Sequence, residues 1–301
     1  MTNKSRHCII VHYDEIAVKL GNRPWFERQL VKNIKNQLKG LNYSTIQKFS
    51  ARIFVNDIDL KQSNLYLETL QNVMGVSSVH SMINIVSDTD VIKKNALELL
   101  KSVQDEFQTF KIFTKRQNKA FPQTSPELNA LVGDVIRVDL EKKVNLKNPD
   151  IELRIEIVED RAFIGYQSKK GFGGLPVGTG ELALSLISSG IDSPVASFKM
   201  LKRGVQLSYI HFHSSPATGE ESILNVKKII DRLGEFQSEK RLFLISFLDI
   251  QNSTFIDYEQ GFRSIGYLAN YNNIQDLLDV DLIHLSNNMM MVHLHLNLYQ
   301  D

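Results

Sequence analysis

Residues 188–193, Ser188-Ser189-Gly190-Ile191-Asp192-Ser193, lie between a continuous apolar run at 182–187 and a segment of helical spacing at 193–203. Hydroxyls, a glycine and a carboxylate at the carboxyl end of a strand, opening a helix, suit an anion. Helix-terminal N–H groups and the positive end of the helix dipole point outward there, and open α/β sheets place their ligands at that edge. Phosphate is the expected guest. No Gly-Lys-Ser/Thr follows, so the turn is not a Walker-type P-loop. The competing use of Asp192 and Ser193 is simply to cap the helix. His211 and His213 share a strand face, as do His293 and His295, but neither pair has the third ligand a metal needs, and no metal site is expected.

The elements around the turn predict a parallel sheet. A strand at 182–187, a helix at 193–203 and a strand at 205–212 within about 30 residues make a βαβ unit. Upstream, His7 to Tyr13 is a β-branched strand. Trp25, Phe26, Leu30, Ile34 and Leu38 follow the helical period, with Asn22 as cap and Pro24 in the first turn. A strand at 51–58 completes a small β-α-β start. A short helix up to Met74 ends at Gly75, followed by an extended stretch at 79–86, a helix at 90–103, a strand at 110–114, a helix at 128–140 and one or two strands over 151–165. The segment QSKKGFGGLPVGTG, 167–180, has no helical or strand period and is expected to be a linker.

Composition narrows the class. With 301 residues, 43% hydrophobic and 23% charged, the chain is long enough for two or three globular domains and is neither disordered nor fibrous. The formal charge of +1 hides an asymmetry: residues 1–180 carry 26 basic and 20 acidic side chains, and residues 181–301 carry 9 and 14. Lys115, Arg116 and Lys119, interleaved with Asn118 and Phe121, match what neutralises phosphates and touches an unpaired base, although a solvated loop has the same composition. The KKGFGG run at 169–174 allows the same two uses. Cys8 is the one cysteine, which excludes internal disulfides and cysteine-rich zinc sites, and its expected place in a buried strand makes it a poor sulfur carrier. The amino terminus lacks the long apolar region of a signal peptide and no apolar run reaches the length of a membrane span, so a cytoplasmic protein is expected.

Four segments resemble one family in the same order. ISSGIDSPVASFKMLKRG (187–204) is similar to the SGGxDSPVA pyrophosphatase-loop motif of the tRNA 4-thiouridine synthases, sulfurtransferases also linked to thiazole formation in thiamine biosynthesis. YDEIAVKLGNRPWFE (13–27), KRQNKAFPQTSPELN (115–129) and HFHSSPATGEESILNVKKI (211–229) resemble that family's YGEIxLKGxNRxxFE, KRxxKxFPxxSxExN and HFHSPPxTSExAxxKV segments. The resemblance implies an α/β chain with a ferredoxin-like module at 1–59, an RNA-binding THUMP domain at 60–166, a linker at 167–180, and an incomplete parallel-sheet pyrophosphatase-loop domain at 181–301. It implies an enzyme that uses ATP, as its magnesium complex, to adenylate a uridine of tRNA before sulfur displaces AMP. It further implies a cysteine desulfurase as persulfide donor and a homodimer. On this basis Asp192 and Ser193 are the catalytic candidates. Leu186, Ile187, Ser188, Ser189, Gly190, His211 and Phe212 are the ATP candidates, the leucine, isoleucine, histidine and phenylalanine lining adenosine. Lys115, Arg116, Lys119 and Phe121 are the RNA candidates, with Lys19, Asn22 and Arg23 in a further motif of structural or tRNA-facing character.

The chain departs from the pattern in places. Asp14, Ser50 or Ala51, and Ser189 stand where the family has glycine, and a Cβ at Ser189 costs about 1 kcal/mol if that position needs positive φ. Residues 263–270 only faintly resemble the family's GESLGQxASQT loop, and its PYxDCC cysteines have no counterpart, so a shortened catalytic domain after Gln251 is expected, with a terminal strand near Met291. Two other functions compete: a non-catalytic tRNA-binding remnant, and an adenylating enzyme for a small molecule.

Overall fold

The computed structural model describes residues 7–214, 216, 220–246, 281–283 and 291–293; the 263–270 segment and His295 lie outside them. Internal packing divides the chain into two units. One holds the residues up to Tyr13, Leu38–Gln71 and Val76–Gly171; the other holds Asp14–Gln37, with helix α1 (Arg23–Gln37), Asn72–Gly75, and the described residues from Phe172 onward.

The first unit is one eight-stranded sheet. Its strands are β1 (His7–His12), β2 (Thr45–Phe49), β3 (Arg52–Asn56), β4 (Ser78–Val86), β5 (Thr109–Arg116), β6 (Lys143–Val144), β7 (Ile151–Val158) and β8 (Arg161–Lys170), in the order β2-β3-β1-β4-β8-β7-β5-β6. Only the β5 pairings, with β6 and β7, are parallel. Helices α2 (Ser63–Gln71), α3 (Thr89–Lys101) and α4 (Ser125–Asp139) belong to this unit. Asp88 caps α3 through the N–H groups of Asp90 and Val91, and a Thr124–Glu127 capping box opens α4. Leu153, Ile155 and Ile157 of β7 meet Ile92, Leu128 and Val132 of the helices in one apolar core. The period of two therefore sends Arg154 and Glu156 to the other face of the sheet.

That other face holds a buried ion cluster. Glu156 is fully buried; Arg52 Nε and Arg154 Nε each donate to it at 2.6 Å, and His12 Nε2 lies 2.8 Å from its Oε1. Strands β3 and β7 are four places apart in the sheet, roughly 19 Å if it were flat, which the two side chains cannot span. The sheet therefore curls until its halves meet across Cys8, Ile10, Phe54, Met82 and Phe163, a second small core. Burial by itself would raise the Glu156 carboxyl, but the hydrogen bond and charge of His12 and the two guanidinium groups outweigh it and hold it well below the usual carboxylate range. His80, its ring edge-on to His12 with centroids 5.2 Å apart, is pushed down to about 3, by burial first and by the Arg154 charge second. Gly165 permits the close pairing at the β4–β8 register shift, since a Cβ there would lie 2.0 Å from the Ser81 carbonyl oxygen.

The second unit is a five-stranded sheet, β9 (Leu182–Leu186), β10 (Gln206–His213), β11 (Leu242–Ser246), β12 (Asp281–Ile283) and β13 (Met291–His293), ordered β11-β10-β9-β13-β12. Strands β9, β10 and β11 are parallel, and β13 runs antiparallel to β9. Helices α5 (Asp192–Lys202) and α6 (Glu221–Leu233) complete it, packed through Leu201, Leu207, Tyr209, Val226 and Ile230. Phe172, Phe198 and Phe236 meet edge to face, 5.4, 5.2 and 5.1 Å between centroids. Helix α1 is tied into this unit because Gln29 Nε2 and Asn33 Nδ2 both donate to the Val177 carbonyl, at 3.0 and 2.9 Å.

Three expectations change. Strand β2 had no sequence signal, since four of its five residues are exposed and the strand is held by its ladder to β3. Residues 167–170, expected within a linker, continue β8 by pairing with Ser78–Ser81, which needs no side-chain pattern. Trp25, placed on the apolar face of α1, is 44% exposed, while Leu30 and Ile34 are buried.

Ser50 and Ala51 form the two-residue loop between β2 and β3, with φ of 52° and 59°, the geometry of a type I′ hairpin that favours Asn-Gly. Ala51→Gly is therefore expected to raise the unfolding free energy by about 0.5 kcal/mol, the relief of left-handed strain less the added chain entropy, read as a higher urea midpoint at unchanged slope. The ion cluster predicts acid sensitivity. Unfolded His80 accepts a proton near its ordinary 6.5 and the folded ring only near 3, so the unfolded state binds more protons in between and stability falls as pH drops from about 6.5 to about 3. Glu156, depressed from 4.5, adds to the loss below about 4.5. Melting temperatures of His80→Gln should depend less on pH between 6.5 and 4.5 than those of the parent.

Candidate nucleotide loop and nucleic-acid interface

The chain leaves β9 through buried Ile187 and turns through five exposed residues, Ser188 to Asp192, into α5. Ile187 N–H donates to Ile210 O at 2.8 Å, so the exit is fixed to the next parallel strand. The turn is closed by its own hydroxyls: Ser188 N–H donates to Ser193 Oγ at 2.9 Å, and the Ser188 and Ser193 hydroxyls lie 3.0 Å apart. Beneath them Ser197 Oγ donates to Ser193 O and meets Ser185 Oγ, both at 2.8 Å, Ser185 and Ser197 being buried. This serine ladder lets α5 sit close to β9 with every hydroxyl in a hydrogen bond.

Helix α5 starts at Asp192, its N-cap is Ile191, and no side chain caps it. Asp192 and Ser193 are thus not the cap that their types suggested: Ser193 clasps Ser188 instead, and the N–H groups of Asp192 and Ser193, the two that precede Pro194, have no partner within the helix. Neither Ser189 nor Gly190 adopts positive φ, so the expected strain at Ser189 is absent. A Cβ at Gly190 would meet only Ser188 Oγ, at 3.5 Å. Nothing in the fold's own packing requires that glycine, and it leaves the turn open to a group arriving from outside.

The adenosine candidates divide. Leu186 and Phe212 are half-buried and pack with Leu184 and Ile210, whereas Ile187 is core. His211 is buried with both ring nitrogens engaged, Nδ1 2.9 Å from Ile187 O and Nε2 3.1 Å from Ser222 Oγ. A carbonyl only accepts, so Nδ1–H donates and, in the neutral ring, Nε2 accepts from Ser222. His211 therefore ties the residue before the loop to the first turn of α6. The roles of Ser185 and Ser197 in the ladder, and of Ser222 against His211, are absent from the sequence reading, because isolated serines carry no periodic signal. Among the described residues no group of three or more His, Cys, Asp or Glu side chains gathers to hold a metal.

In the basic segment, Lys115 and Lys119 are exposed. Arg116 is half-buried, and its Nη1 donates to Phe121 O at 3.1 Å, so it braces the loop. Asn118 also works inward, donating to Glu159 O and accepting from Ala120 N–H. Phe121 requires correction: at 7% exposure it is part of the α3–α4 core and its ring is not offered to a base. Cys8 is 2% exposed, and burial, with the charges of Asp57 and Glu156, pushes its thiol up to about 12. It is no nucleophile.

A parallel βαβ unit whose Ser-Gly-Ile-Asp-Ser turn opens a helix, in one chain with a helix-backed mixed sheet, defines an α/β protein with a separate α+β unit. Three family models match in the same succession: the ThiI ferredoxin-like domain at 8–80, the THUMP domain at 86–166, and the thiamine biosynthesis protein (ThiI) at 178–269. A probable tRNA sulfurtransferase of Brevibacillus brevis is 35% identical over 246 residues, 81% of this chain and 61% of that protein. The structure is similar to that of a 4-thiouridine synthetase in complex with RNA and bound ATP, with a TM-score of 0.73, 27% identity, and coverage of 91% of this chain and 72% of the other. It is also similar to PH1313 from Pyrococcus horikoshii, at 0.68, 28%, 85% and 83%. The chain belongs to the ThiI family. It spans about three fifths of the length of the curated relatives it matches.

The serine ladder yields a stability test. Ser197→Ala strands the buried Ser185 hydroxyl and should cost about 1–2 kcal/mol, whereas Ser185→Ala with Ser197→Ala removes both partners and should recover part of that loss. Urea denaturation of the two single variants and the double variant measures the cycle.

Proposed function

We propose that this chain is an ATP-dependent tRNA sulfurtransferase that activates a uridine for conversion to 4-thiouridine. The observation that carries the reading is the open Ser188–Ser193 turn at the carboxyl end of β9, in a chain whose domains follow the ThiI order. The uridine O4 attacks the α-phosphorus of ATP and pyrophosphate leaves. The terminal sulfur of a donor persulfide then attacks C4 and AMP leaves, and a second thiol from outside this chain opens the resulting donor–base disulfide, leaving 4-thiouridine and an oxidised donor. Adenylation converts a poor oxygen leaving group into a good one, and the loop's task is to hold the pyrophosphate where charge accumulates. The N–H groups of Asp192 and Ser193 and the hydroxyls of Ser188, Ser189 and Ser193 suit that task, Gly190 would admit the phosphates, and Asp192 would meet the magnesium that accompanies ATP. Leu186 and Phe212 offer apolar surface for the base, with His211 holding their strands in register.

The RNA-facing residues of this reading are Lys115 and Lys119, with Arg116 bracing their loop. The sulfur does not travel on Cys8, which is buried and raised to about 12; the persulfide is delivered by a cysteine desulfurase to the adenylated base. A second copy of the chain as partner and a cytoplasmic location rest on the family resemblance. No helix among the described residues is long and apolar enough to cross a membrane.

Titration calorimetry with ATP, and thionucleoside analysis of tRNA from a strain in which this gene is the only source of the activity, test the proposal. The parent should bind ATP and yield 4-thiouridine, and Asp192→Ala and Ser193→Ala should each lower turnover about 100-fold, the scale of one lost charge-stabilising contact. Binding of tRNA without heat from ATP would replace the enzyme with a tRNA-binding remnant. ATP–pyrophosphate exchange without tRNA would favour a small-molecule adenylating enzyme.

A further inference from the structure

The face of the first sheet opposite its helices carries an aromatic, Phe113, and two cations, Lys111 and Arg154, that the functional reading does not use, beside Lys115, which it does. Along β5 the residues facing that way are Lys111, Phe113 and Lys115, and their neighbours on β7 are Glu152, Arg154 and Glu156. Phe113 is 36% exposed. The Arg154 guanidinium carbon lies 4.9 Å from its ring centroid and Lys111 Nζ 5.8 Å from it. Arg154 is not a loose surface cation: its Nε donates to buried Glu156 at 2.6 Å, which sets the plane of the guanidinium beside the ring. Lys111 also meets Glu152 at 3.3 Å. Beyond Phe110, β5 makes no further pairing with its outer neighbour β6, so the platform stands at an open edge of the sheet.

An exposed phenylalanine alone means little. An aromatic face joined to an oriented guanidinium plane, with cations before and after it on the same strand, has the composition that holds unpaired nucleotides: bases stack on the ring and on the guanidinium, and the ammonium groups meet phosphates. The charge balance favours an anion over a peptide. Glu156 is buried and shared by two arginines, and Glu152 is met by Lys111, which leaves the surface positive around the ring.

We propose that Phe113, backed by Arg154, is a stacking platform for an unpaired RNA base, with Lys115 contacting the adjoining phosphate. This rests on the RNA reading above and assigns that reading a residue outside the 115–129 motif. The guanidinium is already held by Glu156 and lies against the ring, so little ordering is needed when a base arrives.

Fluorescence anisotropy with two labelled probes, a hairpin RNA carrying a short single-stranded tail and the same hairpin cut blunt, separates the possibilities. Phe113→Ala should weaken binding of the tailed hairpin by about fivefold to a hundredfold, the loss of one stacked base, and leave the blunt hairpin within twofold. Phe113→Trp should retain tailed binding. Lys115→Ala should lower the salt slope of log K by about one, and Phe113→Ala should leave it unchanged. Equal losses on both probes, or no loss on the tailed one, would overturn the platform. Failure of the parent chain to bind either probe would instead overturn the RNA reading itself, and the platform with it.

Discussion

A single buried carboxylate sets the shape of the first unit. Glu156 satisfies Arg52 from β3, Arg154 from its own strand and His12 from β1, and these contacts exist only if the sheet is strongly curled. Loss of one member of such a cluster leaves the others charged in a dry interior, typically about 3–5 kcal/mol. The ferredoxin-like strands and the THUMP strands are therefore not two sheets side by side: β4 and β8 make them continuous, and the ion cluster closes their shared face. The same carboxylate organises the surface, because the guanidinium it holds is the one that lies against Phe113.

The second unit solves a different problem, holding an open turn still without charge. No lysine or arginine lies between Ser188 and Ser193; order comes from hydroxyls reaching inward, Ser193 to Ser188 and Ser197 to Ser185, and from His211 of β10 tying Ile187 to α6. A loop rigidified from beneath has little entropy left to lose if a group binds it. The glycine positions fit this division of labour. Ser189 replaces a family glycine without left-handed strain, whereas Ser50 and Ala51 replace one where the hairpin demands positive φ, at a site remote in the chain from the loop.

Much of this was legible before any coordinates. The parallel βαβ unit, α3, α4 and the apolar face of β7 follow from periods of 3.6 and 2 and from turn residues, all of which are local. The Ser188–Ser193 turn was legible for the same reason: a strand, a short polar turn and a helix start are adjacent in the chain. Strand β2 escaped because it is largely exposed, and 167–170 escaped because a backbone ladder, and not a side-chain pattern, makes it a strand.

Residue types and spacing determined the parallel βαβ unit, α3 and α4, which side of β7 is apolar, and where a short polar turn opens a helix. Tertiary structure alone decided that Phe121 is core while Phe113 is offered to solvent, that Arg116 braces a loop while Lys115 and Lys119 do not, and that His211 binds two protein oxygens. It also joined Arg52 to a carboxylate 104 residues away. The reason is physical: alternation shows that a strand has two unlike faces, but which one is covered, and what an ionised side chain meets there, depends on the curl of the sheet and on strands brought together from distant parts of the chain.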